Sequence, residues 1–145
     1  MKKHVLLIDE DPTIAKLFLE AVSQINGTFK CTHANSAEKA LQQLKYMYPH
    51  FVFVRYNLAS YNGLHLLTLI KSDARLRRTK VFIHADNISE EVSKMARVLG
   101  AAGCLEKPDT LSRLVHSFRA IFAGDLLPDY TFLRKSQQEV ILPAF

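Results

Sequence analysis

The residues able to do chemistry stand at the ends of predicted strands. Asp9, Glu10 and Asp11 follow the first apolar run, and Arg55 ends the run Phe51, Val52, Phe53, Val54. His84 follows Val81, Phe82 and Ile83, and Lys107 precedes Pro108 after a short fifth run. In open α/β sheets ligands bind outside the carboxyl ends of the strands. Arg55 limits what can happen there. Its guanidinium stays protonated at any accessible pH and cannot be a nucleophile. Its fork suits a bidentate pair with Asp9 or Glu10. Those two carboxylates against Arg55 and Lys107 make a neutral group without a metal, and a divalent ion beside Arg55 is repelled at separations of ~4 Å. His84 has no second histidine on these strand ends, so a hydrogen bond to the acidic cluster is expected in place of metal ligation. His4, His33, His50, His65 and His116 show no ligand spacing.

The elements that must position these groups alternate along the chain. Phe51 to Val54 is apolar without alternation, as suits a strand buried on both faces of a parallel sheet. Pro12 suits a helix first turn, and Ile14, Leu17, Phe18, Ala21, Val22 and Ile25 recur at helical spacing. Residues 28–34 read as an edge-like strand. Asn35 with Glu38 resembles a capping box opening a second helix. Helices are predicted again after Gly63, from Ser89 with Glu90 and Glu91 against the dipole, and from Leu111 to Phe122. Five strand–helix alternations imply a doubly wound parallel α/β sheet. The tail 125–145 lies beyond that pattern. It is too apolar for a disordered linker, so it either folds back on the domain or makes a dimer or partner contact.

At 145 residues the chain is expected to form one domain with a sizeable core. No apolar run reaches the ~18–20 residues that cross a bilayer, and the start does not read as a signal peptide. Cys31 and Cys104 fall in separate strands, consistent with reduced thiols and a cytoplasmic protein without membrane partners. The net charge of +5 raises nucleic acid as a partner. The densest basic stretch, residues 71–80, comes without helix-turn-helix, zinc-finger or aromatic-interleaved signals. It reads as a solvated loop, and no nucleic-acid partner is expected.

Residues 49–66, PHFVFVRYNLASYNGLHL, resemble the third strand and following loop of response-regulator receiver domains. Pro49, the strand, Asn57, Leu58, Asn62, Gly63, Leu64 and Leu66 all fit that pattern. Asp9 and Glu10 stand at the family's Mg²⁺-binding positions, and Lys107 with Pro108 matches its Lys-Pro pair. Gly100, Ala101 and the segment KSDARLR are also typical. The resemblance covers residues 4 to about 123. It implies a flavodoxin-like five-stranded sheet of order 2-1-3-4-5 with helices on both faces, and a cis peptide before Pro108. A nucleotide- or flavin-binding flavodoxin-like module is disfavoured, because it needs a phosphate loop after the first strand, where Asp9, Glu10 and Asp11 would repel phosphate.

The departures carry as much as the matches. Receivers work by attack of an aspartate carboxylate on a phosphodonor, with Mg²⁺ offsetting the crowded oxyanions. Arg55 takes the acceptor's place, His84 that of the Ser/Thr reporting phosphorylation, Cys104 that of the aromatic switch, and Ala59 that of the loop proline. The resemblance then implies a pseudo-receiver, not an enzyme, with domain limits 1–124 and no required cofactor. It would act in two-component signalling by binding a histidine kinase, a regulator or an output protein, or as a homodimer. No output domain follows in this sequence. The family's contact face corresponds to residues 89–99 and 111–122. The alternative is a phosphoacceptor using Glu10, Asp9 or His84 with Mg²⁺. Cys104 is expected to be a small buried apolar residue.

Overall fold

The computed structural model describes residues 3–25, 27–123 and 129–136. Strands β1 (Lys3–Ile8), β2 (Phe29–Ala34), β3 (Phe51–Arg55), β4 (Lys80–Ala85) and β5 (Gly103–Glu106) alternate with helices. These are α1 (Pro12–Ser23), α2 (Ala37–Gln43), α3 (Gly63–Ser72), α4 (Glu90–Val98) and α5 (Leu111–Ala123). All strand pairings are parallel, in the order β2-β1-β3-β4-β5 followed by a further strand beside β5. The sheet therefore has six strands where five were expected. The extra one is β6 (Thr131–Leu133), from the chain beyond α5, with Gly103 opposite Thr131 and Leu105 opposite Leu133.

A parallel addition needs a crossover of a dozen or so residues, and α5 supplies it. The strand was not legible because three residues fall short of the 4–8 that a strand signal requires. It covers what would otherwise be an open β5 edge. Gly103 permits this: a Cβ there would overlap the Thr131 carbonyl oxygen and press on the Phe82 ring.

Side-chain alternation divides the core between the two faces of the sheet. Leu6, Ile8, Val52, Val54, Val81, Ile83 and Cys104 face α2, α3 and α4. Val5, Leu7, Phe51, Phe53, Phe82 and Leu105 face α1 and α5, where Phe18, Phe53 and Phe118 meet at centroid distances of 5.2–5.9 Å. Asp11 caps α1 by accepting from the Thr13 N–H, and Asn62 and Ser89 cap α3 and α4 in the same manner. Helix α2 is capped by Ser36, not Asn35: the Ser36 hydroxyl lies one residue nearer the first helical turn and accepts from the Lys39 N–H. The Lys107–Pro108 bond is trans, not cis. Trans is the lower-energy form of an X–Pro bond by about 0.5–1 kcal/mol. Cys31 and Cys104 are both free thiols. No described helix is long and apolar enough to cross a membrane.

Candidate functional site at the strand ends

Strand parity builds the site. Leu7, Phe53 and Phe82 point toward α1 and α5, and two residues further on the same parity sends Asp9, Arg55 and His84 to that side. Arg55 and His84 are register partners across β3 and β4. Arg55 Nη1 lies 3.6 Å from Asp9 Oδ2, and His84 Nε2 lies 3.5 Å from the same oxygen. Asp9 and His84 are fully buried, whereas 22% of the Arg55 side chain reaches solvent.

The Arg55–Asp9 contact expected from the sequence is present, but it is monodentate. Asp9 Oδ1 already accepts from the Asp11 N–H at 2.8 Å, so one oxygen is left to the guanidinium. Glu10 lies one residue on, hence on the other side of the strand. Its carboxylate accepts from the Ala59 N–H at 2.9 Å and 3.0 Å. Lys107 also stands apart, its Nζ donating to the Pro108 carbonyl at 3.3 Å. Of the four charged groups drawn together by charge counting, only Asp9 and Arg55 meet.

The expected hydrogen bond from His84 to the acidic cluster is absent. Asp9 Oδ2 and both His84 ring nitrogens lack a hydrogen-bond partner, despite their proximity. The imidazole is held by packing, 4.9 Å from the Phe18 ring centroid. The His84 pKa is lowered to about 3, chiefly by burial and in part by the nearby Arg55 charge, with the Ile8 backbone partly opposing both. His84 is therefore neutral at physiological pH. Burial raises the Asp9 carboxyl, partly opposed by its bond from the Asp11 N–H and by the Arg55 charge. Together these groups form a low-dielectric pocket with one fixed cation.

Residues outside the expected set complete the surroundings. His33 on β2 donates from Nε2 to the Asp9 carbonyl at 2.7 Å, a contact that only the β1–β2 register could disclose. On the opposite face of the sheet, Tyr130 reaches in beside Cys104. The Tyr130 hydroxyl donates to the Ser93 carbonyl at 2.8 Å and accepts from Ser93 Oγ at 2.8 Å, with Cys104 Sγ 3.2 Å away. Cys104 is buried as expected, and burial raises its thiol pKa. Near the end of β5, the Glu106 carboxylate accepts from the N–H groups of Ile88 at 2.8 Å and Lys135 at 3.1 Å. Arg134 pairs with Glu90 at 2.6 Å. Among the described residues no group of three or more His, Cys, Asp and Glu side chains is placed to hold a metal ion.

Comparison with known proteins decides the family. The model of the response regulator receiver domain matches residues 5–119. This chain belongs to the receiver family. A probable chemotaxis protein CheY of Rhizobium etli is 23% identical over 123 residues, covering 85% of this chain and 95% of that relative. Among solved structures, the chemotaxis response regulator CheY4 of Vibrio cholerae superposes with a TM-score of 0.74 at 16% identity, covering 83% of this receiver and 99% of that chain. The phosphorylated cyanobacterial phytochrome response regulator RcpA gives 0.75 at 21% identity, with coverage of 83% and 91%. These structures share the receiver's fold. A receiver is a signalling module of two-component systems, and its work is done with other signalling proteins.

Proposed function

We propose that this receiver takes no phosphoryl group at the end of β3 and signals by protein–protein contact, in a conformation held by Arg55. The observation that carries this reading is the guanidinium of Arg55 at the β3 terminus, 3.6 Å from the buried Asp9 oxygen. A cation there cannot attack a phosphodonor. The substitute acceptors are poorly placed: Asp9 and His84 are both fully buried. Glu10 is exposed, and its carboxylate is engaged by Ala59. The donor set does not suit Mg²⁺ either, since Asp9 offers its one unbonded oxygen to a guanidinium and Glu10 turns to the following loop. Arg55 would supply the fixed positive charge instead.

Partner candidates are a histidine kinase, another regulator, an output protein or a second copy of the chain. The face built by α4, β5 and α5 would meet them, and part of it carries the chain's own Tyr130 and Arg134. The test is intact mass after incubation with acetyl phosphate and Mg²⁺, on wild type and on Arg55→Asp. No added mass on wild type, beside one phosphoryl group on the variant, supports the proposal. A phosphorylated wild type overturns it, and the modified residue would name the substitute acceptor.

A further inference from the structure

The amino-terminal edge of the sheet carries a basic groove that the strand-end chemistry does not use. The α2–β3 linker sets Tyr48 and His50 against Arg75, Arg77 and Arg78 of the α3–β4 linker, around a cavity of about 480 Å³. Its floor is fixed by hydrogen bonds. Lys71 Nζ donates to the carbonyls of Arg77 at 3.1 Å and Thr79 at 2.9 Å, and Thr79 Oγ1 donates to the Pro49 carbonyl at 2.7 Å. His50 Nδ1 accepts from the His4 N–H at 3.0 Å, which leaves the neutral ring's proton on Nε2.

Arg75 belongs to this frame. It pairs with Asp73 at 2.7 Å, donates to the Leu44 and Lys45 carbonyls, and lies 5.4 Å from the centroid of the Tyr48 ring. Tyr48 remains largely open to solvent, the residue being 62% exposed. Arg77 and Arg78 are exposed, and among the described residues no carboxylate pairs with either. His50 and Arg78 continue into a second hollow with Lys3 and Lys80. Like charges held unpaired along a concave floor raise the local potential for anions. An aromatic face beside them adds a platform for any base. Residues 71–80 carry no aromatic residue of their own. Folding brings Tyr48 to it from another linker.

We infer that this groove binds a nucleoside phosphate, the base stacked on Tyr48 and the phosphate held by Arg77 and Arg78. Guanidinium forks suit phosphate oxygens. The same chemistry is offered by a free nucleotide and by a single-stranded nucleic acid. The experiment titrates the full chain with AMP, inorganic phosphate and a labelled short single-stranded oligonucleotide, on wild type, R77E/R78E and Tyr48→Ala. All three substituted side chains are exposed, and unchanged circular dichroism confirms that the variants fold.

Wild type is expected to bind AMP more tightly than phosphate, and Tyr48→Ala to weaken AMP or oligonucleotide binding at least fivefold. R77E/R78E should abolish AMP binding and reduce the oligonucleotide's log–log salt slope by about 1.4, the share of two phosphate contacts on a single strand. An oligonucleotide bound far more tightly than AMP identifies the strand as the source, and equal affinities identify the free nucleotide. The inference is overturned if neither probe saturates near physiological salt, if R77E/R78E binds like wild type, or if phosphate matches AMP with Tyr48→Ala silent.

Discussion

Two buried polar clusters lie on opposite faces of the sheet, and they are built on opposite terms. Toward α1 and α5, Asp9 Oδ2 and both nitrogens of His84 are shut away without a hydrogen bond, beside a partly exposed guanidinium. Toward α4, the Tyr130 hydroxyl meets the Ser93 carbonyl, Ser93 Oγ and Cys104 Sγ together. A buried polar group without a partner costs folding free energy, whereas a satisfied one contributes about 0.5–1.5 kcal/mol. The second cluster is a clasp that fastens the chain beyond α5. The first lowers stability. Its charges also sit where they are little screened.

The largest effects are expected from the backbone beneath each cluster. Gly63 and Gly103 each lack the Cβ that would overlap a carbonyl oxygen, that of Arg55 and of Thr131 respectively. Gly63→Ala and Gly103→Ala should each lower stability by roughly 3 kcal/mol in denaturant titrations. Hydrogen exchange should separate them: Gly103→Ala releases the β6 amides, while Gly63→Ala releases those around Arg55 and Tyr56. The same exchange pattern in both variants would mean that the clusters are not independent.

Next in size is Tyr130→Phe. It strands the polar atoms of Ser93 and Cys104, and should cost about 1–2 kcal/mol. His84→Leu should move the other way, gaining on the order of 1 kcal/mol, because it replaces a buried ring without hydrogen bonds by an apolar side chain. A destabilised His84→Leu would show that His84 is satisfied in solution and would remove the contrast.

Acid titration sharpens the difference further. His84 binds its proton in the unfolded chain near 6.5 and in the folded chain only near 3. Its contribution to stability is therefore complete above 6.5 and falls as pH drops toward 3, by on the order of 1 kcal/mol per pH unit. Asp9 has the opposite sign. Its raised pKa makes protonation favour the folded state as pH falls, so it offsets part of the loss. Urea unfolding at successive pH values should show a shallower acid slope in His84→Leu than in wild type. Tyr130 and Cys104 report on the alkaline side. Both pKa values are raised, chiefly by burial, so stability should fall as pH climbs through the unfolded values of 9.0 for the thiol and 10.0 for the phenol. Tyr130→Phe should flatten that limb slightly, with Cys31 still contributing because burial moves it to about 12.

Much of this was legible before folding, and the reasons are local. Phe51 to Val54 announced a central strand because a strand buried on both faces has no polar alternation. Pro12, Asn62, Ser89 and Gly100 marked helix ends through their own backbone and side-chain chemistry. A pairing of Arg55 with the acidic cluster was readable because both end strands adjacent in the predicted order, but the choice of Asp9 over Glu10 and the single contact were not. The partners of Glu10 and Lys107 were not, since one residue of parity sends Glu10 to Ala59 and a rotamer sends Lys107 to the Pro108 carbonyl. That the apolar tail could fold back was readable from its composition, but strand β6 and the partners of Tyr130 were not, because three residues carry no period.

Periodicity, caps and residue type are written along the chain, and they specify the order of elements as far as α5, the parallel sheet and the cation at the end of β3. Tertiary structure alone decided which charges touch, how far His84 is stripped of water, and that Tyr48 lies beside Arg77 and Arg78. Those depend on distances between segments remote in sequence, and on burial that no single segment possesses.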